Sequence, residues 1–190
     1  PAPKGTAKVP ADILPGSYCY DAVAWALENG IINGLADGTF GVNNTCTRGQ
    51  SVTFLYRTMG TAPTTVNGFT DVAAGDFYAD AVAWAVENGV TNGTSASTFS
   101  PNTGMTRGMF VTALGRLAGI NPDSYQTGKF TDVKADAYYA PYVNWAAQTG
   151  IVTGVTATTF APDTNINREQ MAVIMANYAK KLGCDLPKTL

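Results

Sequence analysis

A block of sequence that occurs three times at nearly constant intervals limits what this chain can fold into. Each copy begins at a tryptophan and ends at an arginine 23 positions later, over residues 25–48, 84–107 and 145–168. The tryptophans stand 59 and 61 positions apart, and so do the arginines. A fixed period with fixed internal spacing indicates a repeat architecture. Because units of about 60 residues are too small to bury much surface alone, we expect the three copies to share one core.

Each copy is predicted to contain two helices. The first is apolar on most faces and covers roughly residues 20–29, 80–88 and 141–149. A glycine follows each of these helices as a left-handed cap, at Gly30, Gly89 and Gly150. The second helix begins at a residue that can cap it, at Thr47, Thr106 and Asn167. The predicted fold class is therefore all-α, with any β structure limited to short pairs in the loops.

The repeats also divide the chain. We predict short tails at both ends and linkers rich in Thr, Asn, Gly and Pro before the second and third repeats. The divisions are an N-terminal tail over residues 1–9, repeat 1 over 10–60, linker and repeat 2 over 61–121, linker and repeat 3 over 122–183, and a C-terminal tail over 184–190.

Composition excludes several classes of partner. The formal net charge is −2, only 14% of residues are charged and there is no histidine, so we expect no nucleic-acid partner, which would need a basic patch. No apolar run reaches membrane-spanning length, and no apolar segment of a signal peptide follows Pro1–Lys4. Abundant Asn, Thr, Ser and Gly favour an uncharged or weakly anionic ligand.

Four short motifs recur in the repeats: Phe-x-Asp-Val, Trp-Ala-x-Glu-Asn-Gly, Thr-Phe-x-Pro and Thr-Arg-x-Gln. Together they resemble the S-layer homology domain, in three consecutive copies over about residues 10–183. The resemblance implies a monomeric, pseudo-threefold body in which one helix of each repeat joins a central three-helix bundle. It also implies noncovalent attachment of a bacterial surface protein to the cell wall, outside the cell. In that family the ligand is typically a secondary cell-wall polymer with pyruvylated N-acetylmannosamine.

The resemblance further implies where such a glycan binds. Family pockets lie in grooves between neighbouring repeats and use an Arg, an Asp, a Trp and a Gly of each repeat. Carried over by motif, these are Arg48, Arg107 and Arg168; Asp12, Asp71 and Asp132; Trp25, Trp84 and Trp145; and Gly34, Gly93 and Gly154. Repeat 1 lacks the Phe before Asp12 and the Pro after Phe40, which favours the grooves of Arg107 and Arg168 over that of Arg48.

The arginines also have a chemical argument of their own. An Arg one residue inside a helix start lies beside free backbone N–H groups and the positive end of the helix dipole. A carboxylate bound there would relieve the repulsion and could accept two hydrogen bonds from the guanidinium. The alternative is that each Arg pairs with the Asp of a neighbouring repeat and holds the body together. Both roles can hold at once.

The tryptophans and glycines leave alternatives open. The tryptophans could stack on sugars, but each lies mid-helix on an apolar segment, which favours core packing. The three glycines are needed either for a positive φ in a turn or because a ligand passes close to the backbone.

Two of the three cysteines are predicted to form a disulfide. Cys19 aligns with Tyr78 and Tyr139 at the start of the first helix, and Cys46 aligns with apolar residues just before the second. Both should face inward in the same repeat, and a secreted location would permit the bond. The alternative is two buried free thiols. Cys184, after the last helix, is expected to be free.

The function classes differ in what they require. A glycan hydrolase would need two acidic groups at a set separation, but Asp71 and Glu87 both recur in another copy as part of the repeat. With no His, no Cys–His pair and no phosphate loop, we expect no enzyme, no cofactor and no metal. The competing hypothesis is a structural module that binds another protein of a surface layer and no glycan.

Overall fold

The computed structural model describes residues 8–183 and contains two helices in each repeat, as the pattern predicts. The helices are α1 (Tyr20–Glu28), α2 (Arg48–Met59), α3 (Ala79–Glu87), α4 (Arg107–Leu117), α5 (Ala140–Gln148) and α6 (Arg168–Lys181). A short 3-10 helix at Pro122–Tyr125 lies in the second linker. Within the described residues, β structure is confined to three isolated bridges, which confirms the all-α class.

Local signals set the helix ends. The glycines that follow α1, α3 and α5 have φ values of 66°, 65° and 76°, the left-handed conformation predicted for them. Full capping boxes close the starts of α2 and α6, whereas Thr106 of α4 accepts only the N–H of Met109. These caps satisfy donors that the first turn of a helix leaves without an intrahelical partner.

The packed helix pairs join neighbouring repeats. α3 packs against α2, α5 against α4, and α1 of the first repeat against α6 of the last. The last pairing closes the three repeats into a ring, and it brings together elements about 150 positions apart in the chain. None of these three pairs joins the two helices of a single repeat.

A ring of backbone hydrogen bonds joins the three repeats at the starts of α2, α4 and α6. The N–H of Cys46 donates to Ile166 at 2.9 Å, that of Ile166 to Met105 at 2.8 Å, and that of Met105 to Cys46 at 2.9 Å. Further along the helices, side chains of all three meet, among them Leu55, Leu114 and Met175. This arrangement is the pseudo-threefold body with a central three-helix bundle.

The predicted disulfide between Cys19 and Cys46 is wrong, because both residues are buried free thiols. The error lies in the assumption that both face inward in one repeat. Since α1 packs against α6, Cys19 faces the third repeat, with its Sγ 3.8 Å from Glu169 Oε2 and 3.6 Å from Ser17 Oγ. Cys46 lies in the backbone ring, where burial raises the pKa of its thiol to about 12. Cys184 lies outside the described residues.

A difference in side-chain size explains why a cysteine stands at position 19. In the other two repeats a tyrosine ring lies over the second residue of the neighbouring helix, which is a glycine: Tyr78 over Gly49 and Tyr139 over Gly108. A Cβ at Gly49 would lie 2.8 Å from the Tyr78 ring. The equivalent helix residue of α6 is Glu169, so a small side chain at position 19 leaves room for its carboxylate.

Candidate functional site

Each loop between the two helices of a repeat is held from two sides at its phenylalanine. In repeat 1, the carboxylate of Asp12 accepts the N–H groups of Phe40 and Gly41 at 2.7 and 2.8 Å. From the preceding repeat in the ring, Arg168 donates Nε to the Phe40 carbonyl at 2.7 Å and Nη2 to the Asn33 carbonyl at 2.6 Å. A carboxylate of one repeat and a guanidinium of another therefore bind the backbone of the same residue.

The other two loops repeat this geometry. Arg48 donates to the Phe99 and Asn92 carbonyls at 2.9 and 2.7 Å, while Asp71 accepts the Phe99 N–H at 2.8 Å. The third set consists of Arg107, Asp132, Phe160 and Thr153. Each guanidinium also lies 4.5–4.6 Å from the centre of the phenylalanine ring whose carbonyl it binds. Hence Phe40, Phe99 and Phe160, all fully buried, fasten their loops to the body.

The structure corrects part of the chemical argument for the arginines. The first two N–H groups of α2 are not free, since Arg48 and Gly49 donate to the carbonyls of Thr103 and Pro101 at 2.8 Å. The side chains do hold the body together, but by binding loop peptides instead of pairing directly with the aspartates. Burial lowers the pKa of the Arg48 guanidinium, and the charge of Asp71 acts in the opposite direction.

A groove of about 230 Å³, open to solvent, lies beside Arg107. One wall is the loop over residues 151–155, which includes Gly154, and another is a half-buried face of α6. Tyr18 of the first repeat closes the third side and is 68% exposed. All three repeats therefore contribute to a single groove: the arginine comes from one, the loop and helix wall from the next, and the aromatic ring from the third.

Because each groove combines residues of three repeats, the departures of repeat 1 do not affect the groove of Arg48 in the way the sequence suggested. The loop that lacks the Pro, and faces Pro10 in place of a Phe, is bound by Arg168, whereas Arg48 binds the complete loop of repeat 2. The premise for ranking Arg168 above Arg48 is therefore wrong.

The tryptophans lie in the core. Trp25, Trp84 and Trp145 are only 2–6% exposed, which leaves almost no surface for a sugar and favours the core-packing interpretation. The exposed aromatic residues are instead Tyr18, Phe77 and Tyr138, at 68, 64 and 56%. They occupy one position, two residues before the first helix of each repeat, and the alignment of Tyr18 with Phe77 and Tyr138 is the signal that could have identified Tyr18.

Gly93 and Gly154 are required by the close approach of other parts of the protein, which was not predicted, and not by a positive φ. Gly93 and Gly154 have no left-handed backbone, but a Cβ at Gly93 would lie 2.5 Å from the Phe69 ring and 2.7 Å from the Thr98 carbonyl. At Gly154 it would meet the Phe130 ring and the carbonyls of Thr156 and Thr159. Gly34 is less crowded, because the nearest atoms would be the Thr39 carbonyl at 3.3 Å and Pro10 at 3.9 Å.

We predict that Gly93→Ala destabilises the protein and that Gly34→Ala, the matched control, does so much less. An alanine at position 93 forces the Phe69 ring and two backbone carbonyls apart, and overpacking of this kind costs about 1–3 kcal/mol. The two variants should be compared by denaturant unfolding followed by circular dichroism. Equal losses of unfolding free energy would show that crowding around Gly93 is not the reason for its glycine.

With this geometry in place, comparison with known proteins identifies the family. Residues 12–50, 68–108 and 129–172 match the S-layer homology domain, and these segments make up more than half of the chain. The chain belongs to the S-layer homology domain family. Each segment contains the aspartate and the arginine that bind the loop phenylalanines, so the contacts that build the grooves lie within the family match.

Three known proteins are similar to this chain over a small part of their own length. A surface-layer 125 kDa protein of Lysinibacillus sphaericus is 29% identical over 169 residues, which is 84% of this chain and 14% of that protein. An amylopullulanase of Thermoanaerobacterium thermosulfurigenes is 28% identical over 176 residues, 90% of this chain and 9% of the enzyme. An endoglucanase of Bacillus sp. (strain KSM-635) is 41% identical over 100 residues, 53% of this chain and 10% of the enzyme.

The chain thus spans 9–14% of the length of these three relatives. In the enzymes, the similarity covers a small portion of the protein, consistent with an appended anchoring module. Family membership supports a role in anchoring at the bacterial cell wall. Over residues 8–183, none of the helices is long and apolar enough to cross a lipid bilayer.

Proposed function

We propose that this S-layer homology chain attaches a bacterial surface protein to the cell wall by binding an anionic glycan in the grooves between its repeats. The ligand class is a secondary cell-wall polymer that carries pyruvyl ketals on N-acetylmannosamine. The observation that carries the proposal is the groove of Arg107, where a guanidinium, loop backbone and an exposed tyrosine face one opening.

The guanidinium suits a carboxylate guest. The bonds from Arg107 to the Phe160 and Thr153 carbonyls use two of its five N–H groups, and within the described part of the chain the others have no protein acceptor. These bonds also fix the plane of the guanidinium, so little side-chain entropy is lost when a ligand binds. A pyruvyl carboxylate could then form charge-assisted hydrogen bonds at the groove floor.

The aromatic ring suits the sugar. Tyr18 offers a largely exposed, rigid face to the groove beside Arg107. Phe77 and Tyr138 occupy the same position for the grooves of Arg168 and Arg48. The three grooves on one rigid body could engage several units of a single polymer, which raises the apparent affinity without new contacts.

The most direct test changes the wall and leaves the protein intact. We expect the chain to sediment with purified bacterial wall sacculi that carry the polymer, and to remain in solution after the pyruvyl groups are removed by mild acid. The control is the same sacculi treated identically and then re-pyruvylated. Undiminished binding to pyruvyl-free walls would contradict the proposed ligand.

Binding to another protein is the competing outcome. If the chain fails to bind any wall preparation but associates with itself or with surface-layer subunits, the module is a protein-interaction element of the layer.

A further inference from the structure

Two of the grooves have a second arginine where the third has an asparagine. Nine positions after the groove arginine of each second helix stand Arg57, Arg116 and Asn177. Asn177 lines the groove of Arg107 and donates Nδ2 to the Ile151 carbonyl at 3.1 Å. Arg57 makes the matching contact in repeat 1, from Nη1 to the Ile31 carbonyl at 3.4 Å. Because Ile31 and Ile151 hold the same position in their repeats, Arg57 and Asn177 are structurally equivalent.

In the groove of Arg168, two guanidinium groups therefore bind one short loop segment. Arg168 binds the Asn33 carbonyl and Arg57 binds the Ile31 carbonyl, two residues away. The Ile31 and Asn33 carbonyls are two residues apart in the chain, so they lie at most about 7 Å from each other. One sugar ring with its substituents can bridge that distance. Arg57 is exposed, so its charge is accessible to solvent, and it also borders a second cavity lined by Trp25 and Tyr178.

The groove of Arg48 has the second arginine by position. Arg116 stands nine residues after Arg107 on α4, the helix that takes the place of α2 in this groove, and its side chain is exposed like that of Arg57. The groove of Arg107 differs, because Asn177 stands in place of the second arginine. Among the described residues that line this groove, Arg107 is the one with a charged side chain.

We propose that the residue at position 57, 116 or 177 sets how many negative charges each groove accepts. The grooves of Arg168 and Arg48 bind a saccharide with two anionic groups, one carboxylate on the groove arginine and a second carboxylate or phosphate on the exposed arginine. The groove of Arg107 binds a singly charged saccharide. This inference rests on the proposed glycan binding and adds the charge preference of each groove.

Calorimetric titration of the full chain with three probes tests the assignment. The probes are pyruvylated N-acetylmannosamine as its methyl glycoside, the same sugar with a methyl phosphodiester, which carries one further charge, and its disaccharide with a uronic acid. The second and third probes distinguish phosphate from carboxylate as the second anion. We expect two sites per chain that favour a doubly charged probe about fivefold, the upper range for an exposed ion pair.

Exchanging Arg57 and Asn177 should move the preference for a doubly charged probe from one groove to the other. Arg57→Asn should leave one such site, Asn177→Arg should create a third, and the double exchange should restore two. Lys180→Asn, which removes the same charge from the exposed end of α6, should change nothing. If the parent binds the singly charged probe but neither exchange alters the number of sites, the inference is overturned while the proposed function stands. If the parent binds none of the probes, both fail.

Discussion

A fragment of residues 61–121, one complete sequence repeat, should show no cooperative unfolding transition. It contains α3 and α4, whose packing partners in the intact protein are α2 and α5. It also lacks Arg48, which holds the loop of this repeat at Phe99. Both helices would expose their apolar faces, and a unit of this size buries too little surface to offset the conformational entropy of folding.

A fragment of equal length with shifted ends is the matched control. Residues 44–104 contain α2, α3 and the loop that Arg48 and Asp71 bind together. We expect this fragment to retain more helix than residues 61–121, as measured by far-ultraviolet circular dichroism at equal concentration. The intact chain, as the reference, should unfold in one transition. A sharp melting transition for residues 61–121 would show that each sequence repeat has a core of its own, which the contacts across repeats do not support.

The features that could be predicted from the sequence are those that depend on residues close together in the chain. A glycine after an apolar helix, as at Gly89, or a threonine three positions before a glutamine, as at Thr47, determines a helix end through contacts within one turn. The threefold period likewise predicts a shared core, because three copies of one pattern can pack in the same way around an axis.

What could not be predicted is which copy each position contacts. The spacing of a repeat is identical whether its helices pack on each other or on a neighbour, so pairing Cys19 with Cys46 was as consistent with the pattern as the contact with Glu169. The same ambiguity placed the departures of repeat 1 beside Arg48 when its loop lies against Arg168.

The partners of the groove arginines were hidden for a different reason. Arg107 and Asp132 bind the backbone of Phe160, and every residue has a backbone carbonyl. No side-chain pattern distinguishes the carbonyl that a guanidinium selects. Chemical reasoning from side chains alone therefore favoured a direct ion pair or a ligand, and missed the loop peptide that lies between the two charged groups.

The arginines should accordingly matter for stability before they matter for binding. We predict that Arg107→Ala lowers the free energy of unfolding by about 2–4 kcal/mol, because it removes two charge-assisted hydrogen bonds to the Phe160 and Thr153 carbonyls and the contact with the Phe160 ring. Arg116→Ala, at the exposed end of the same helix, should cost no more than about 0.5 kcal/mol. Denaturant unfolding of both variants provides the comparison.

Arg107→Lys separates the hydrogen bonds from the charge. A lysine keeps the positive charge but cannot reach two carbonyls with a planar fork, so most of the loss should remain. If the lysine variant is as stable as the parent, charge alone holds the loop and the bonds at Phe160 and Thr153 contribute little. A wall-binding defect in any arginine variant is evidence for a ligand contact only under conditions where that variant is folded. Removal of the pyruvyl groups from the wall therefore tests the ligand independently of the role of Arg107 in the fold.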